Sequence, residues 1–338
     1  MTSILDVAPE HAPVAAALAE SLLHVEEAFE LQLRSDLPPV EDLCRHVERY
    51  RGKMLRPTMV LLSGMAAGAP REGVIGDDHI TIAAVTEMVH LATLVHDDVL
   101  DEAETRRRGD TVNRLRGNEV AVILGDYLIS KAFHLCSQLD SQDAALRIGE
   151  VTNRVCEGEL LQLHHRDNHS LDEDTYFEII RRKTASLIGV ACELGASRSG
   201  ASSDVQYRFR DYGEKLGMAF QIRDDLLDIT GDEMVVGKSL GKDLEKGKLT
   251  LPMIHHLQTA DPMTRGRTLV LLDDFRADSP EHQGAALEAI RSTGSIEYAL
   301  SEARRLVSEA KASLDAVVDS PARALMLDLA EAVLAREH

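Results

Sequence analysis

Apolar residues recur at spacings of three and four along almost the whole chain, as in Val14/Leu18/Leu22/Val25 and Ile179/Ile180/Thr184/Leu187/Ile188, while strand-like alternation is nearly absent. A chain with that single periodicity buries its apolar side only by packing helices, so the expected fold class is all-α. The pattern predicts helices over about 11–34, 39–50, 54–67, 78–103, 112–138, 141–166, 172–197, 203–231, 250–258, 263–276, 281–292, 295–316 and 320–336. Pro57 falls in a first turn, and Gly or Ser/Asp clusters separate the segments. Gly213 and Gly217 have the spacing of a place where another helix comes close. The Gly/Pro/Ser-rich stretches are short, so the 338 residues are read as one domain over 1–338.

Against that pattern stand two copies of one acidic spacing, Asp97-Asp98-Val99-Leu100-Asp101 and Asp224-Asp225-Leu226-Leu227-Asp228. On a helix the first and last carboxylates of each set lie on one face and form a rung that repels itself. At about 6 Å and an effective dielectric of about 20, each like-charged pair costs roughly 3 kcal/mol. Apolar residues 91–95 lead into the first set and the mostly apolar stretch 216–222 into the second, so these carboxylates are partly buried and need partners. Two such clusters facing one another would hold several hard divalent ions with positions open to phosphate oxygens. Mg²⁺ suits them because it takes oxygen ligands, keeps some water and is shared with substrate phosphates.

A formal charge of −20 argues against nucleic acid or an anionic membrane as the main partner. Cys44, Cys136, Cys156 and Cys192 lack metal-site spacing and sit in helical segments, which reads as reduced thiols and a cytoplasmic location. No basic run precedes an apolar block at the N-terminus, and no uncharged apolar window is long enough to span a bilayer. Neither a signal peptide nor a transmembrane segment is expected.

In so acidic a chain the basic clusters are informative. Gly52-Lys53-Met54-Leu55-Arg56-Pro57 sets Lys53 and Arg56 at a helix start, where backbone N–H groups also favour anions, and reads as a metal-free phosphate pocket. His90, two turns before Asp97 on the same face, could add a donor to it. Arg106-Arg107-Arg108 follows the first acidic set, and guanidinium forks suit phosphate. Lys183-Thr184 lies in an apolar helix, where a lysine either snorkels or faces a charged ligand. The stretch between Gly231 and Pro252, with Lys238, Lys242, Lys246 and Lys248 among three glycines, reads as a mobile, non-helical basic lid. His164, His165 and His169, beside Arg166, Asp167 and Asn168, read as a solvated loop rather than a metal site.

The two D-D-x-x-D helices, the Gly-Lys-x-x-Arg-Pro start, the arginine pair and the Gly-Lys lid together resemble the trans-prenyl diphosphate synthases, or polyprenyl synthetases, over roughly residues 40–260. The resemblance implies one large bundle of mostly antiparallel helices around a deep central cavity, with the acidic helices facing each other at its mouth, usually in a homodimer. It implies Asp97, Asp101 and Asp224 as principal Mg²⁺ ligands, Asp98, Asp225 and Asp228 in support, and three ions when substrate is bound. Lys53, Arg56, His90 and Arg107 would hold isopentenyl diphosphate. Arg106, Lys183, Gln221, Lys238 and Lys248 would hold the allylic diphosphate, with Lys183 and Thr184 near the developing cation. There are departures: Arg51 and Met54 replace the common Gly-Gly-Lys-Arg context, and Arg108 is an added charge. Thr111-Val112-Asn113 keeps the family spacing, so Arg106 and Arg107 remain the aligned pair.

The implied reaction is head-to-tail condensation with departure of the allylic diphosphate, needing no protein nucleophile. In the family a bulky aromatic at the fourth or fifth position before the first motif stops growth early. Thr93 and Ala92 occupy those positions and Val89 lies a turn further down, none of them aromatic, with Phe133 on a neighbouring helix as a deeper floor. The expected product therefore has twenty or more carbons, and more specifically thirty to fifty. A farnesyl or geranylgeranyl diphosphate synthase is one alternative, and a non-catalytic or partner-dependent subunit of a heteromeric synthase another. A terpene cyclase or head-to-head condensing enzyme has little use for Lys53, Arg56 and His90, and all six aspartates are present, unlike in an inactive subunit.

Overall fold

The structure, a computed structural model, describes residues 11–68, 75–107, 109–230, 241–274 and 280–335. Its helices are α1 (Ala12–Leu33), α2 (Pro38–Val47), α3 (Leu55–Gly68), α4 (Asp77–Leu100), α5 (Val112–Arg116), α6 (Asn118–Cys136), α7 (Gln142–His164) and α8 (Glu173–Ile180). There follow α9 (Ser186–Arg198), α10 (Ser203–Thr230), α11 (Lys242–Glu245), α12 (Leu251–Thr259), α13 (Pro262–Asp274), α14 (Pro280–Ser292), α15 (Ser295–Ser313) and α16 (Pro321–Leu334). The expected all-α class is what is found. The strands among the described residues, β1 (Thr105–Arg106) and β2 (Gly109–Asp110), form one two-residue antiparallel ladder.

Local chemistry sets many of the boundaries. A proline in the first turn, where its missing N–H costs nothing, opens α1, α2 and α12. Asp172 caps α8 by accepting the Thr175 N–H at 2.7 Å. Three features depart from the periodicity. The helix expected over 112–138 breaks at Gly117, whose φ of +87° no right-handed helix accommodates. The helix over 172–197 passes through a π-helical turn, Arg181–Ala185. The lid expected to be non-helical contains the turn α11.

The chain divides into two compact units, each described by itself. The first comprises Met1–Thr152, Leu187–Gly213 and Ser313–Leu327. There α4 packs against α1, α3 and α6, burying Leu18, Phe29, Leu61, Leu62, Ile82 and Met88 almost completely, each worth about 1.5–3 kcal/mol by transfer from water. Small residues set the spacing. A Cβ on Gly195 would meet the Val60 carbonyl at 2.1 Å, and one on Gly213 would meet the Gly189 Cα at 2.8 Å, the close approach expected of Gly213. Tyr212 fastens α10 to α16 by donating to the Met326 carbonyl at 2.6 Å.

The second unit comprises Asn153–Ser186, Glu214–Ala312 and Asp328–His338. Gly158 of α7 lies against the π turn, where a Cβ would meet the Lys183 nitrogen at 2.6 Å. Within this unit α8 packs on α12. Cys44, Cys136 and Cys192 are buried free thiols and Cys156 is an exposed one.

Candidate active site

In the first unit, α4 carries the first acidic set. Asp98 is 1% exposed and accepts a hydrogen bond from Arg106 Nε at 2.8 Å. Burial pushes its carboxyl above the usual range and Arg106 pulls it back. Asp97 and Asp98 also serve the chain's exit from the helix, because their carbonyls accept the N–H groups of Asp101 and Ala103 at 2.8 and 2.9 Å. Asn113 Nδ2 clamps the Asp98 and Ala103 carbonyls at 3.2 and 3.1 Å, and Thr111 donates to Ala103 at 2.6 Å. The Thr111-Val112-Asn113 segment therefore fixes the turn that delivers Arg106. Tyr50 accepts the Val112 N–H at 3.1 Å, and burial, aided by Asp98, pushes its phenol up to about 12.

Further back along α4 lies a pocket of positive charge. Burial holds the His90 imidazole well below its usual pKa, and Arg56, Arg107 and Arg106 press in the same direction. His90 is therefore neutral at neutral pH, with the charges of three guanidinium groups acting on it. The Arg107 fork lies across Gly52, where a Cβ would come within 2.4 Å of Nη2. The preceding loop is strained: Met54 holds φ +53° and Arg107 φ +47°, conformations a non-glycine residue adopts at a cost of about 1–3 kcal/mol. Met54 nevertheless starts α3, its carbonyl accepting the Thr58 N–H at 3.0 Å, and Lys53 beside it is exposed.

Glu87 was missed by sequence reasoning. It is 4% exposed, and burial raises its carboxyl while Arg56, Arg107 and Arg51 lower it. A lone acid among apolar residues 82–94 was the available signal. Arg56 Nε, Glu87 Oε2 and Asp98 Oδ2 are buried without a hydrogen-bond partner among the described residues. Such atoms are costly unless a ligand engages them. Below the first acidic set, Val89 and Ala92 are fully buried and Thr93 turns its hydroxyl to the His90 carbonyl at 2.7 Å. Phe133 stands beside Gly149, where a Cβ would touch its ring at 3.8 Å.

In the second unit, a pocket is lined by Gln162, His165, Tyr176, Lys183, Thr184, Gln221, Asp225, Asp243 and Lys248, with Leu171, Ile179, Ile180, Leu249 and Thr250 as its apolar wall. The π turn presents Lys183 and Thr184. Lys183 pairs with Glu159 of α7, and the Thr184 hydroxyl donates to Gln221 Oε1 at 2.9 Å. Asp225 accepts Gln221 Nε2 at 2.8 Å and the Tyr176 hydroxyl at 2.6 Å. Burial, with Asp243 and Asp224 adding to it, pushes Asp225 up to about 8 against those two hydrogen bonds. Asp228 is pushed up to about 6 by burial and by Asp243.

Asp228 also corrects the lid. Its carbonyl accepts Gly241 N–H at 2.8 Å, and its carboxylate accepts the N–H groups of Lys242 and Asp243 at 3.3 and 3.2 Å, holding the first turn of α11. Gly247, at φ +67°, fits against Asp167, whose Oδ1 would lie 2.0 Å from any Cβ there, and its carbonyl accepts the Asp167 N–H at 2.9 Å. The 241–250 segment is thus docked and sends Lys248 to the pocket. His165 belongs to that wall rather than to a purely solvated loop, while His164 is exposed. Lys238 and Arg108 lie outside the described residues.

No three His, Cys, Asp or Glu side chains converge as a ready-made metal cage among the described residues. The donor set still fits Mg²⁺: it is all oxygen, the buried Asp98 Oδ2 meets no hydrogen-bond donor among the described residues at hydrogen-bond geometry, and Mg²⁺ usually takes one or two carboxylates and completes its shell with water and substrate phosphate. None of the helices of the described residues is long and apolar enough to cross a membrane.

The described residues thus carry two aspartate sets, arginines grouped about a buried histidine, and a lysine-bearing loop. The particular family follows from comparison with known proteins. Residues 38–290 match the family model "Polyprenyl synthetase", and the chain belongs to that family. It is 33% identical over 320 residues to octaprenyl diphosphate synthase of Escherichia coli, covering 95% of this chain and 97% of that protein. It is 34% identical over 325 residues to heptaprenyl diphosphate synthase component 2 of Geobacillus stearothermophilus, with 95% and 97% covered. Among solved structures, a decaprenyl diphosphate synthase from Rhodobacter capsulatus superposes with a TM-score of 0.88 at 33% identity, covering 97% of this chain and 99% of that one. A polyprenyl synthase from Caulobacter crescentus, complexed with calcium and isoprenyl diphosphate, gives 0.88 at 30% identity, with 97% and 98% covered.

Proposed function

We propose that the protein is a chain-elongating trans-prenyltransferase that condenses isopentenyl diphosphate head-to-tail with an allylic diphosphate, giving an all-trans polyprenyl diphosphate of thirty to fifty carbons. The observation that supports this reading is the grouping of cations about the buried His90, whose imidazole is held well below its usual pKa by burial and then by Arg56, Arg107 and Arg106, with the Arg107 fork lying across Gly52. In this reading the whole chain, residues 1–338, works as one polyprenyl synthetase domain in a cytoplasmic homodimer.

Arg56, Arg107, Lys53 and His90 hold the diphosphate of isopentenyl diphosphate, the guanidinium forks giving paired hydrogen bonds and His90 a neutral donor. In the first unit Asp97 and Asp101, supported by Asp98, would hold Mg²⁺, and in the second Asp224, supported by Asp225 and Asp228, would do the same. When bound, Mg²⁺ would supply positive charge to the allylic diphosphate and so favour its departure. In the second unit Lys183 and Lys248, with Lys238, grip that same diphosphate, and Arg106 of the first unit is assigned to it as well. Thr184 and Gln221 turn their oxygens toward the allylic carbon as it becomes positive, and the docked lid excludes water that would quench it. The double bond of isopentenyl diphosphate attacks that carbon, and the departed diphosphate removes the proton that regenerates an allylic product. None of Val89, Ala92 and Thr93 is a bulky aromatic that would stop a growing chain early, and Phe133 stops it further down.

The test incubates purified protein with Mg²⁺, labelled isopentenyl diphosphate and primers of ten, fifteen or twenty carbons, and resolves the products by length. Products of thirty carbons or more, abolished by EDTA, are expected, whereas termination at fifteen or twenty would identify a farnesyl or geranylgeranyl diphosphate synthase. A second reading, a catalytic subunit that needs a partner, is favoured by the likeness to a protein described as component 2 of its synthase. Elongation that begins only when a second polypeptide is added would establish it.

A further inference from the structure

Tyr176 has no role in the proposed reaction, yet it is 3% exposed and sits at the end of an unbroken hydrogen-bonded chain. Its hydroxyl donates to Asp225 Oδ2 at 2.6 Å, Gln221 Nε2 donates to Asp225 Oδ1 at 2.8 Å, and the Thr184 hydroxyl donates to Gln221 Oε1 at 2.9 Å. The direction of the chain follows from the inventory of donors and acceptors. Tyr176 and Gln221 both point donors at Asp225, so the end of the Gln221 amide that faces Asp225 is its NH₂. The end that faces Thr184 and the pocket is therefore its carbonyl. A reversed amide would turn N–H groups, the positive end of the dipole, into the space where Thr184 and Lys183 line the wall.

We propose that Tyr176 is a positioning residue for prenyl transfer: by holding Asp225 it orients the Gln221 amide with its oxygen toward Thr184 and the developing allylic cation. This rests on the prenyltransferase reading given above. It also assigns Asp225 to orientation, since each of its oxygens already receives a protein donor. Preorganised dipoles aimed at developing charge act in the transition state and little in the ground state. The tyrosine should therefore influence turnover more than binding.

The test compares the full-length wild type with Tyr176→Phe, which keeps the ring and removes only the donor. A fall in kcat of about tenfold is expected, with KM for isopentenyl diphosphate unchanged and the melting temperature within a few degrees. Replacing Tyr176 by p-aminophenylalanine, which restores an N–H donor in the same place, should recover most of the lost rate. In a double-mutant cycle with Thr184→Val the two losses should fall well short of multiplying, because both variants cut one chain. If removing the hydroxyl prevents folding, p-methylphenylalanine fills its space without donating and carries the same expectation. Wild-type kcat in Tyr176→Phe, failure of the amino analogue to restore rate, or fully multiplicative losses would each overturn the proposal. A wild type that elongates no primer would overturn the prenyltransferase reading instead, so the two failures are separable.

Discussion

The arginine pocket on α4 and the Asp225 cluster on α10 solve opposite problems with similar materials. Around His90 the protein concentrates three guanidinium charges, strains Met54 and Arg107, and leaves Arg56 Nε and Glu87 Oε2 without a hydrogen-bond partner among the described residues. Around Asp225, by contrast, the hydroxyls of Tyr176 and Thr184 and the amide of Gln221 satisfy one another in sequence. Unsatisfied buried charge is expensive and is kept where a ligand will meet it, whereas a satisfied network fixes direction. The difference teaches that the first region is built to hold a charged group and the second to aim dipoles at one.

The strongest way to break that contrast is Arg56→Gln. It removes a charge-assisted contact from the holding region, so KM for isopentenyl diphosphate should rise on the order of 100-fold with KM for the allylic primer nearly unchanged. Steady-state kinetics with each substrate varied in turn would show this, and equal loss for both substrates would erase the distinction. Gly52→Ala is subtler. Its Cβ would push first on the Arg107 guanidinium, the movable end of a long side chain, so the melting temperature should hold while KM for isopentenyl diphosphate rises about tenfold, a fraction of the loss at Arg56.

Thr93→Phe tests the same helix below the charged pocket. Product length should shorten by one or more five-carbon units while the rate of the first condensation stays within about threefold, since no phosphate contact is touched. Unchanged length would remove Thr93 from the floor.

The smallest effect is a pH slope. The folded pKa of Asp225 is raised to about 8, above its unfolded value of about 4. The native state therefore binds the extra proton in that window, and its contribution to stability is lost as pH rises from about 4 through about 8. In EDTA the melting temperature of the wild type should fall more steeply between pH 6 and 8 than that of Asp225→Asn. Parallel slopes would show that Asp225 ionises freely in the metal-free protein.

Much of this was legible in the sequence, for identifiable reasons. Helical periodicity is a local property and located α4, α7 and α10 to within a few residues, and the spacing of Asp97/Asp101 and Asp224/Asp228 is itself a helical statement. The break at Gly117 was hidden because apolar residues keep period on both sides of it, although Gly-Asn at 117–118 hinted at a stop. The π turn at Lys183 depends on what α7 offers opposite, the bare Gly158, which no pattern within residues 172–197 reveals. The same holds for α11, which exists because Asp228 accepts its first N–H groups. Glu87 and Tyr176 were overlooked because their meaning lies in partners distant in sequence: Arg56 and Arg107 for one, Asp225 for the other.

The most direct measurement is calorimetric titration of isopentenyl diphosphate into the metal-free protein in EDTA, repeated with Arg56→Gln. Saturable 1:1 binding without metal, weakened by one to two orders of magnitude in the variant, is expected of a pocket in which Arg56, Arg107, Lys53 and His90 hold the diphosphate. Binding that requires Mg²⁺, or that is indifferent to Arg56, would contradict it.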